Sequence, residues 1–351
     1  MKRWIRSAAL AAALLFSIVL TGCGRQTAEY SMQVTSLFDT VITLKAYAGN
    51  RQAFDEWADE ACALLEEYHR LFDIYHEYEG MNNLCTVNRI GSQAPVPVDA
   101  RILDLLELAA GVGEQTGGKV NVAMGSVLTL WSGYREQGNA DPSAAALPSA
   151  EELQDAMQHI DPDDIRIDRE ASTIYLADPA LQIDVGAVGK GYAVEQTARH
   201  MEEKAEEYGV TGALINAGGN LCCIGGKGDG EPWVAGVQDP ADPNRLLARV
   251  KMDGTLALVT SGDYQRYYEV DGVRYAHIID PDTGMPPRYV SSVSVLCSDS
   301  GRADALSTAL FCLPVEEGQA LVESLPGTEA LWVEPDGRIT YSSGFETYLL
   351  D

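Results

Sequence analysis

Basic residues are scarce in this chain. Its 351 residues carry 25 Lys and Arg against 52 Asp and Glu, a formal charge of −27. So acidic a surface excludes nucleic acid as a partner and disfavours adhesion to anionic lipid, since both need a cationic footprint. It also repels an anionic ligand, so a nucleotide would need a local cationic device such as a metal ion or a helix N-terminus. Cysteine is sparse: Cys62, Cys85, Cys222, Cys223, Cys297 and Cys312 form no C-x-x-C and have no histidine at ligand spacing. That argues against a zinc site and a disulfide framework and leaves buried free thiols. The G-x-x-x-x-G-K-[ST] and G-x-G-x-x-G spacings are both missing, so the two common phosphate loops are excluded. No Pro/Ser-rich linker divides the chain, and nothing repeats at solenoid spacing.

Long apolar runs are also missing, except at the start. Lys2, Arg3 and Arg6 precede an apolar stretch from Ala8 to Leu20, which runs into Leu20-Thr21-Gly22-Cys23. Basic flank, short apolar core and small-residue junction read as a secretory signal, too short for a comfortable membrane span. The junction resembles the lipobox of bacterial lipoproteins. That implies a signal peptide over residues 1–22, lipid on Cys23, a polar tether over 23–30, and an exported protein anchored on the extracytoplasmic face of a membrane. Removing residues 1–22 takes away three bases and no acid, leaving 22 bases, 52 acids and a charge of −30. Residues 31–351 then read as one domain.

Along that domain, Met32 to Tyr47 reads as a strand and 52–71 as a helix. Asp99 caps a second helix whose apolar face is Ile102, Leu105, Leu106 and Ala109, ending at Thr116-Gly117-Gly118. The small, polar stretch Gly133 to Ser149 reads as a surface loop. A helix at 150–159 and strands at 164–168 and 173–177 follow. After Gly189, Val194, Ala198, Met201 and Ala205 recur at helical spacing, with Glu195, Arg199, Glu202 and Glu203 on the surface. Strands are expected near 213, 222, 233, 248, 257, 267, 275 and 294, helices at 301–312 and 315–324, and a final meander at 330–349. Helices and strands do not alternate strictly, so the fold class is α+β, with mainly antiparallel sheets and helices packed on them.

Four constellations carry chemistry. Ile183-Asp184-Val185-Gly186-Ala187-Val188-Gly189-Lys190-Gly191-Tyr192 reads as a strand that breaks into glycines and opens a helix, where backbone N–H groups and a lysine can meet phosphate. Asn216-Ala217-Gly218-Gly219-Asn220 is a glycine turn between apolar strands. Thr260-Ser261-Gly262-Asp263 precedes a hairpin turning at Asp271-Gly272, which delivers His277 to the turn Asp280-Pro281-Asp282-Thr283-Gly284. Asp304 and Thr308, at i and i+4, put two hard oxygens on one helix face, a pair suited to Mg2+. Each also has a plain structural explanation as a turn, a solvated lysine or a helix-dipole acid.

Their order makes the difference. From about Met32 to near the C-terminus the chain resembles the ApbE flavin transferases. The resemblance rests on Phe38-Asp39-Thr40, Tyr75 with Leu84 to Asn88, Thr116-Gly117-Gly118 through Trp131, Gly186-Ala187 with Lys190-Gly191-Tyr192, Asn216 to Gly219, Thr260 to Asp263, His277 to Gly284, and Ala303 to Leu306 with Thr308. Two departures are visible: Val120-Asn121 stands where many members carry Phe-Asp, and a short insertion follows Tyr75.

The resemblance implies a two-lobed domain with FAD in the cleft, its ring against Tyr75 and its pyrophosphate near Lys190 and Mg2+. It further implies FAD contacts from Asp39, Thr116, Gly117, Asn121, Asp263, His277 and Thr283, and metal oxygens from Asp304, Thr308 and the Ala187 carbonyl. His277 or Asp263 would position the pyrophosphate or accept the incoming hydroxyl proton, with Lys190 as a third catalytic group. The expected reaction moves FMN from FAD to a threonine or serine hydroxyl and releases AMP. The acceptor would be a flavoprotein subunit of a membrane redox complex, of the Rnf type or the sodium-pumping NADH:quinone oxidoreductase, or a related extracytoplasmic protein. The rivals are an FAD pyrophosphatase, which would use water, and a flavin-binding lipoprotein without catalysis.

Overall fold

In residues 40–48 every second side chain, Ile42, Leu44, Ala46 and Ala48, is fully buried, the period-two signature of a strand with one face in the core. In the computed structural model, which describes residues 27–350, this strand joins a large sheet. The signal, Cys23 and the rest of the tether up to residue 26 lie outside the described residues. The first half of the chain contains β1 (Ala28–Leu37), β2 (Thr40–Ala48), α1 (Arg51–Phe72), α2 (Leu84–Ile90), β3 (Val96–Pro97), α3 (Ala100–Gln115), α4 (Gly125–Ala140), α5 (Ala150–Ala156), β4 (Ile165–Asp168) and β5 (Thr173–Leu176). The second half contains α6 (Gly189–Glu203), α7 (Ala205–Tyr208), β6 (Val210–Ala217), β7 (Asn220–Ile224), β8 (Trp233–Asp239), β9 (Asp242–Met252), β10 (Ala257–Gly262), β11 (Tyr267–Val270), β12 (Val273–Ala276), β13 (Ser292–Cys297), α8 (Ser300–Phe311), α9 (Val315–Glu323), β14 (Glu329–Val333) and β15 (Ile339–Tyr341).

Eight strands form the main sheet in the order β1-β2-β6-β7-β10-β13-β14-β15, and every neighbouring pair is antiparallel. Both faces are covered. Ile42, Ile215, Val259 and Ala330 point to a core shared with helices α1, α3, α6 and α8, while Leu214, Leu258 and Leu331 point to a second core under the β8–β9 hairpin. Coverage on both sides explains why β13 is buried at all six positions. A third, smaller core packs Trp131 and Val127 of α4 against Tyr268 and Ile279, and this body carries the β11–β12 hairpin. The α+β, mainly antiparallel expectation holds.

Four local expectations are corrected. The single strand over Met32 to Tyr47 is two strands joined by Phe38 and Asp39, both left-handed at φ 52° and 50°, a turn with no glycine to signal it. β1 starts at Ala28, inside the stretch read as tether, because Ala28 to Val34 pair with Ala48 to Ile42. The Gly133 to Ser149 loop is helix as far as Ala140. Gly138 is a packing residue there, since a Cβ on it would lie 2.7 Å from the Tyr268 ring. The strand expected before Gly186 is an extended segment with one bridge, Gln182 to Met124, tied down by Asp184 N–H to the Val122 carbonyl at 2.8 Å. The six cysteines of the described residues are free thiols, four of them buried, as expected.

Candidate active site

α6 opens at Gly189 without a side-chain cap. Two residues on, the Gly191 N–H donates to Asp304 Oδ2 of α8 at 2.7 Å, and the Lys190 ammonium lies 3.1 and 3.3 Å from the two Asp304 oxygens. The glycine turn and the i, i+4 pair thus meet at one carboxylate, which is nearly buried. In a regular helix the Gly191 N–H would reach the Ala187 carbonyl. Because it is turned to Asp304, no N–H among the described residues donates to that carbonyl. The Thr308 hydroxyl donates at 3.3 Å to the Asp304 backbone carbonyl, which leaves its lone pairs available.

These groups fit a hard divalent cation in kind: one carboxylate, one hydroxyl and one unpartnered carbonyl, provided that the Lys190 ammonium, which here pairs with the carboxylate, gives way to the cation. Among the described residues no cluster of three or more His, Cys, Asp or Glu side chains competes for a metal.

His277 follows β12. Its N–H and its Nδ1 both reach the Arg266 carbonyl, at 3.0 and 3.1 Å. A carbonyl only accepts, so Nδ1 carries the proton and Nε2 keeps its lone pair. Burial, then the positive charges of Arg266, Arg135 and Lys190, push the ring down to about 4. It is therefore neutral at pH 7, poised to accept a hydrogen bond. The Arg266 guanidinium reaches across to the Asp39 carbonyl at 2.9 Å, so one arginine fixes the β1–β2 turn and His277 together. Arg135 donates to Ser132 Oγ at 2.8 Å, and burial followed by the Arg266 charge lowers its pKa. Neither arginine has a carboxylate partner among the described residues, in a chain with twice as many acids as bases. Such unpaired positive charge is of the kind that a nucleotide would need in so acidic a chain.

Sequence reasoning missed both arginines. Arg135 was hidden in a stretch read as loop, and Arg266 sits in a hairpin valued for its histidine. Asp263, held by its N–H on the Ser291 carbonyl at 3.0 Å, stands 3.4 Å from Arg274. Burial raises its carboxyl and Arg274 opposes that shift.

Tyr75 is 71% exposed, unusual for an aromatic ring with fixed backbone. Its N–H and that of His76 donate to the buried Asp73 carboxylate at 2.7 and 3.1 Å, which also receives the Tyr78 hydroxyl at 2.8 Å. The phenol is raised first by desolvation, then by the Asp184 and Asp39 carboxylates, against the charges of Arg135 and Arg266. Asp184 itself accepts the Gly186 N–H at 2.7 Å, and burial raises its carboxyl.

The remaining nominated residues are engaged in the frame of the protein. The Thr116 hydroxyl is buried and donates to the Val112 and Gly113 carbonyls, at 2.8 and 3.2 Å. Gly117 is left-handed at φ 63°, with open space where a Cβ would stand. The Asn121 amide donates to the Ile160 carbonyl at 2.8 Å and its oxygen accepts the Ala123 N–H at 2.8 Å. Thr283 Oγ1 accepts the Met285 N–H at 3.2 Å. Its turn is anchored by Lys119 on Asp280 and Asp282, at 2.7 and 2.8 Å, and by the Trp131 indole on the Gly284 carbonyl at 2.8 Å. A cavity of about 440 Å3 opens beside it, lined by Asp280, Thr283, Met285, Arg288 and Tyr289 among others.

Comparison with known proteins identifies the family. The ApbE family model matches residues 38–332. The chain is 34% identical over 305 residues to the FAD:protein FMN transferase of Treponema pallidum, covering 82% of this chain and 81% of that protein. It is 31% identical over 333 residues to the protein of the same description from Escherichia coli K12, covering 90% and 89%. Among solved structures, the ApbE protein of Thermotoga maritima superposes with a TM-score of 0.79 at 27% identity, over 92% of this chain and 100% of that one. With the family model spanning most of the chain, the conclusion is direct: this protein belongs to the ApbE family.

Proposed function

We propose that this protein transfers FMN from FAD to a threonine or serine hydroxyl of an acceptor protein, releasing AMP. The observation that carries the reading is the meeting of Lys190, Gly191 and Asp304 beside an unpartnered Ala187 carbonyl, within reach of the charges of Arg266 and Arg135 through His277. In the reaction the acceptor oxygen bonds to the FMN phosphorus and the P–O bond of the anhydride breaks. AMP leaves with the electron pair, and the hydroxyl proton passes to a base.

The residues divide that work. Asp304, Thr308 and the Ala187 carbonyl would hold Mg2+, which when bound supplies charge neutralisation at the phosphates. Lys190 would turn from Asp304 towards the pyrophosphate, and Arg135 and Arg266 would add positive charge where the overall −27 is most unfavourable. Tyr75 offers a ring face for the flavin. His277 Nε2 is a free acceptor for the hydroxyl proton, and Asp263, with its raised carboxyl, is the other base in range of the hairpin. An anionic ligand would offset the cations that depress His277 and make it a stronger base in the complex.

The reading extends to place and partner. An exported chain anchored by lipid at Cys23 would act on extracytoplasmic subunits of membrane redox complexes, of the Rnf or sodium-pumping NADH:quinone oxidoreductase type. No helix among the described residues is long and apolar enough to cross a membrane. Incubation with FAD, Mg2+ and such a subunit, followed by mass spectrometry, tests the proposal. An FMN phosphoester on a hydroxyl residue is expected. Free FMN alone would identify a pyrophosphatase, and unchanged FAD a binding protein.

A further inference from the structure

α6 and α8 are tied by two bonds of opposite sense. Gly191 N–H of α6 donates to Asp304 Oδ2 of α8, and Ser300 N–H of α8 donates to Glu195 Oε2 of α6, both at 2.7 Å. In each helix the donor and the carboxylate are four residues apart, one turn, so the four groups close a ring across the helix crossing. Glu195, expected on the surface, is 2% exposed. Its other oxygen takes Arg199 Nε at 2.6 Å, and Arg199 continues to Asp299 at 2.9 Å. Asp299 caps α8 by accepting the Arg302 N–H at 2.8 Å. The Ser300 hydroxyl donates to Asn220 Oδ1 at 2.6 Å, which ties the same point to the start of β7.

We propose that Glu195 is the positioning residue for Asp304: it fixes where α8 begins on α6 and so holds the Asp304 carboxylate in register with Lys190 and Gly191. The Ser300 N–H is buried and needs an acceptor. Without Glu195 the first turn of α8 has to shift or find another, and Asp304 lies one turn further along the same rigid element. Arg199 compensates the charge from the half-exposed side, so the carboxylate stays usable in the interior. The inference rests on the reading of Asp304 as the working carboxylate, but the contact it predicts exists without any metal.

The test therefore has two arms on the purified full-length protein. In metal-free buffer, competitive acetylation followed by mass spectrometry reports how well Lys190 is protected by Asp304. Glu195→Ala is expected to raise Lys190 labelling several-fold relative to surface lysines, and Glu195→Gln, which keeps an acceptor for Ser300, to leave it near wild type. In the second arm Mn2+ binding is titrated by electron paramagnetic resonance, where Glu195→Ala should weaken affinity about tenfold and Glu195→Gln much less. Should the alanine variant not fold, Glu195→Asp replaces it, because its carboxylate is one methylene short of Ser300. Wild-type Lys190 labelling in a folded Ala or Asp variant would overturn the proposal. Altered labelling with no Mn2+ binding by the wild type would leave Glu195 in its role and remove the metal instead.

Discussion

No side-chain atom fits between Gly191 and Asp304. A Cβ on Gly191 would lie 2.4 Å from the Asp304 Cβ, 2.4 Å from the Ser300 carbonyl oxygen and 2.9 Å from the Asn220 amide. Gly191→Ala should therefore push α6 and α8 apart and cost about 1–3 kcal/mol or more, measured by urea unfolding. Transfer should fall further than stability does. Wild-type stability and turnover in this variant would mean that the crossing is looser than its distances state.

Removal of the metal and removal of its carboxylate should differ in what repairs them. EDTA and Asp304→Ala are each expected to abolish FMN transfer, and added Mg2+ to restore only the first. The alanine keeps a good helix former in α8, so circular dichroism should report an intact fold. Full transfer by a folded Asp304→Ala protein in metal-free buffer would end the metal mechanism.

Tyr75 has little to lose in the free protein, because its ring is exposed. Stacking on a flavin is worth on the order of 1 kcal/mol, so Tyr75→Ala should weaken FAD binding several-fold at unchanged melting temperature, while Tyr75→Phe should not. Equal affinities in all three proteins would take the ring out of the site.

The pH behaviour of His277 has a definite sign. Its folded pKa, about 4, lies below the ordinary value, so the folded state resists the proton that the unfolded chain accepts. Stability is unaffected by this group above about pH 7 and is lost as pH falls through 6.5 towards 4. His277→Gln should match wild type at neutral pH and melt progressively higher than it as pH falls through that window. Arg266→Gln or Arg135→Gln should raise the His277 titration seen by NMR, because each removes one of the charges that depress it.

How far all this could be read from residues alone depended on local signals. The Asp271-Gly272 hairpin was legible, because its turn residues adopt left-handed geometry readily. The Phe38-Asp39 turn was not, since a bulky residue there contradicts local preference and is held by distant partners: the His69 ring edge-on to Phe38 and Arg266 on the Asp39 carbonyl. Lys190, Asp304 and His277 were nominated from order and spacing, but that Lys190 would pair with Asp304 was not, because 114 residues separate them. Glu195 was placed on the surface because a charge at helical spacing reads as solvated. Its acceptor role needs Ser300, which no pattern within α6 reveals.

That turn offers a further test. Asp39 touches Arg266 through its carbonyl, which glycine retains, and its left-handed φ suits glycine better. Asp39→Gly should raise stability by up to about 1 kcal/mol and still weaken FAD binding if the carboxylate contacts the ligand. A variant with unchanged FAD affinity would assign the residue to the turn alone.

The order of the main sheet also sets when such a site comes into being. β2 pairs with β6, Ile42 against Ala217, and the carboxylate that completes the crossing arrives only with α8. A chain growing from its N-terminus carries an unsatisfied β2 edge until most of its length has been made, the kind of distant pairing that folds slowly and is prone to aggregation meanwhile. The nascent form therefore depends on being kept from pairing at that edge until β6 has been made. It also means that a product truncated before α8 lacks the Asp304 carboxylate, so the crossing of α6 and α8 would form late and all at once.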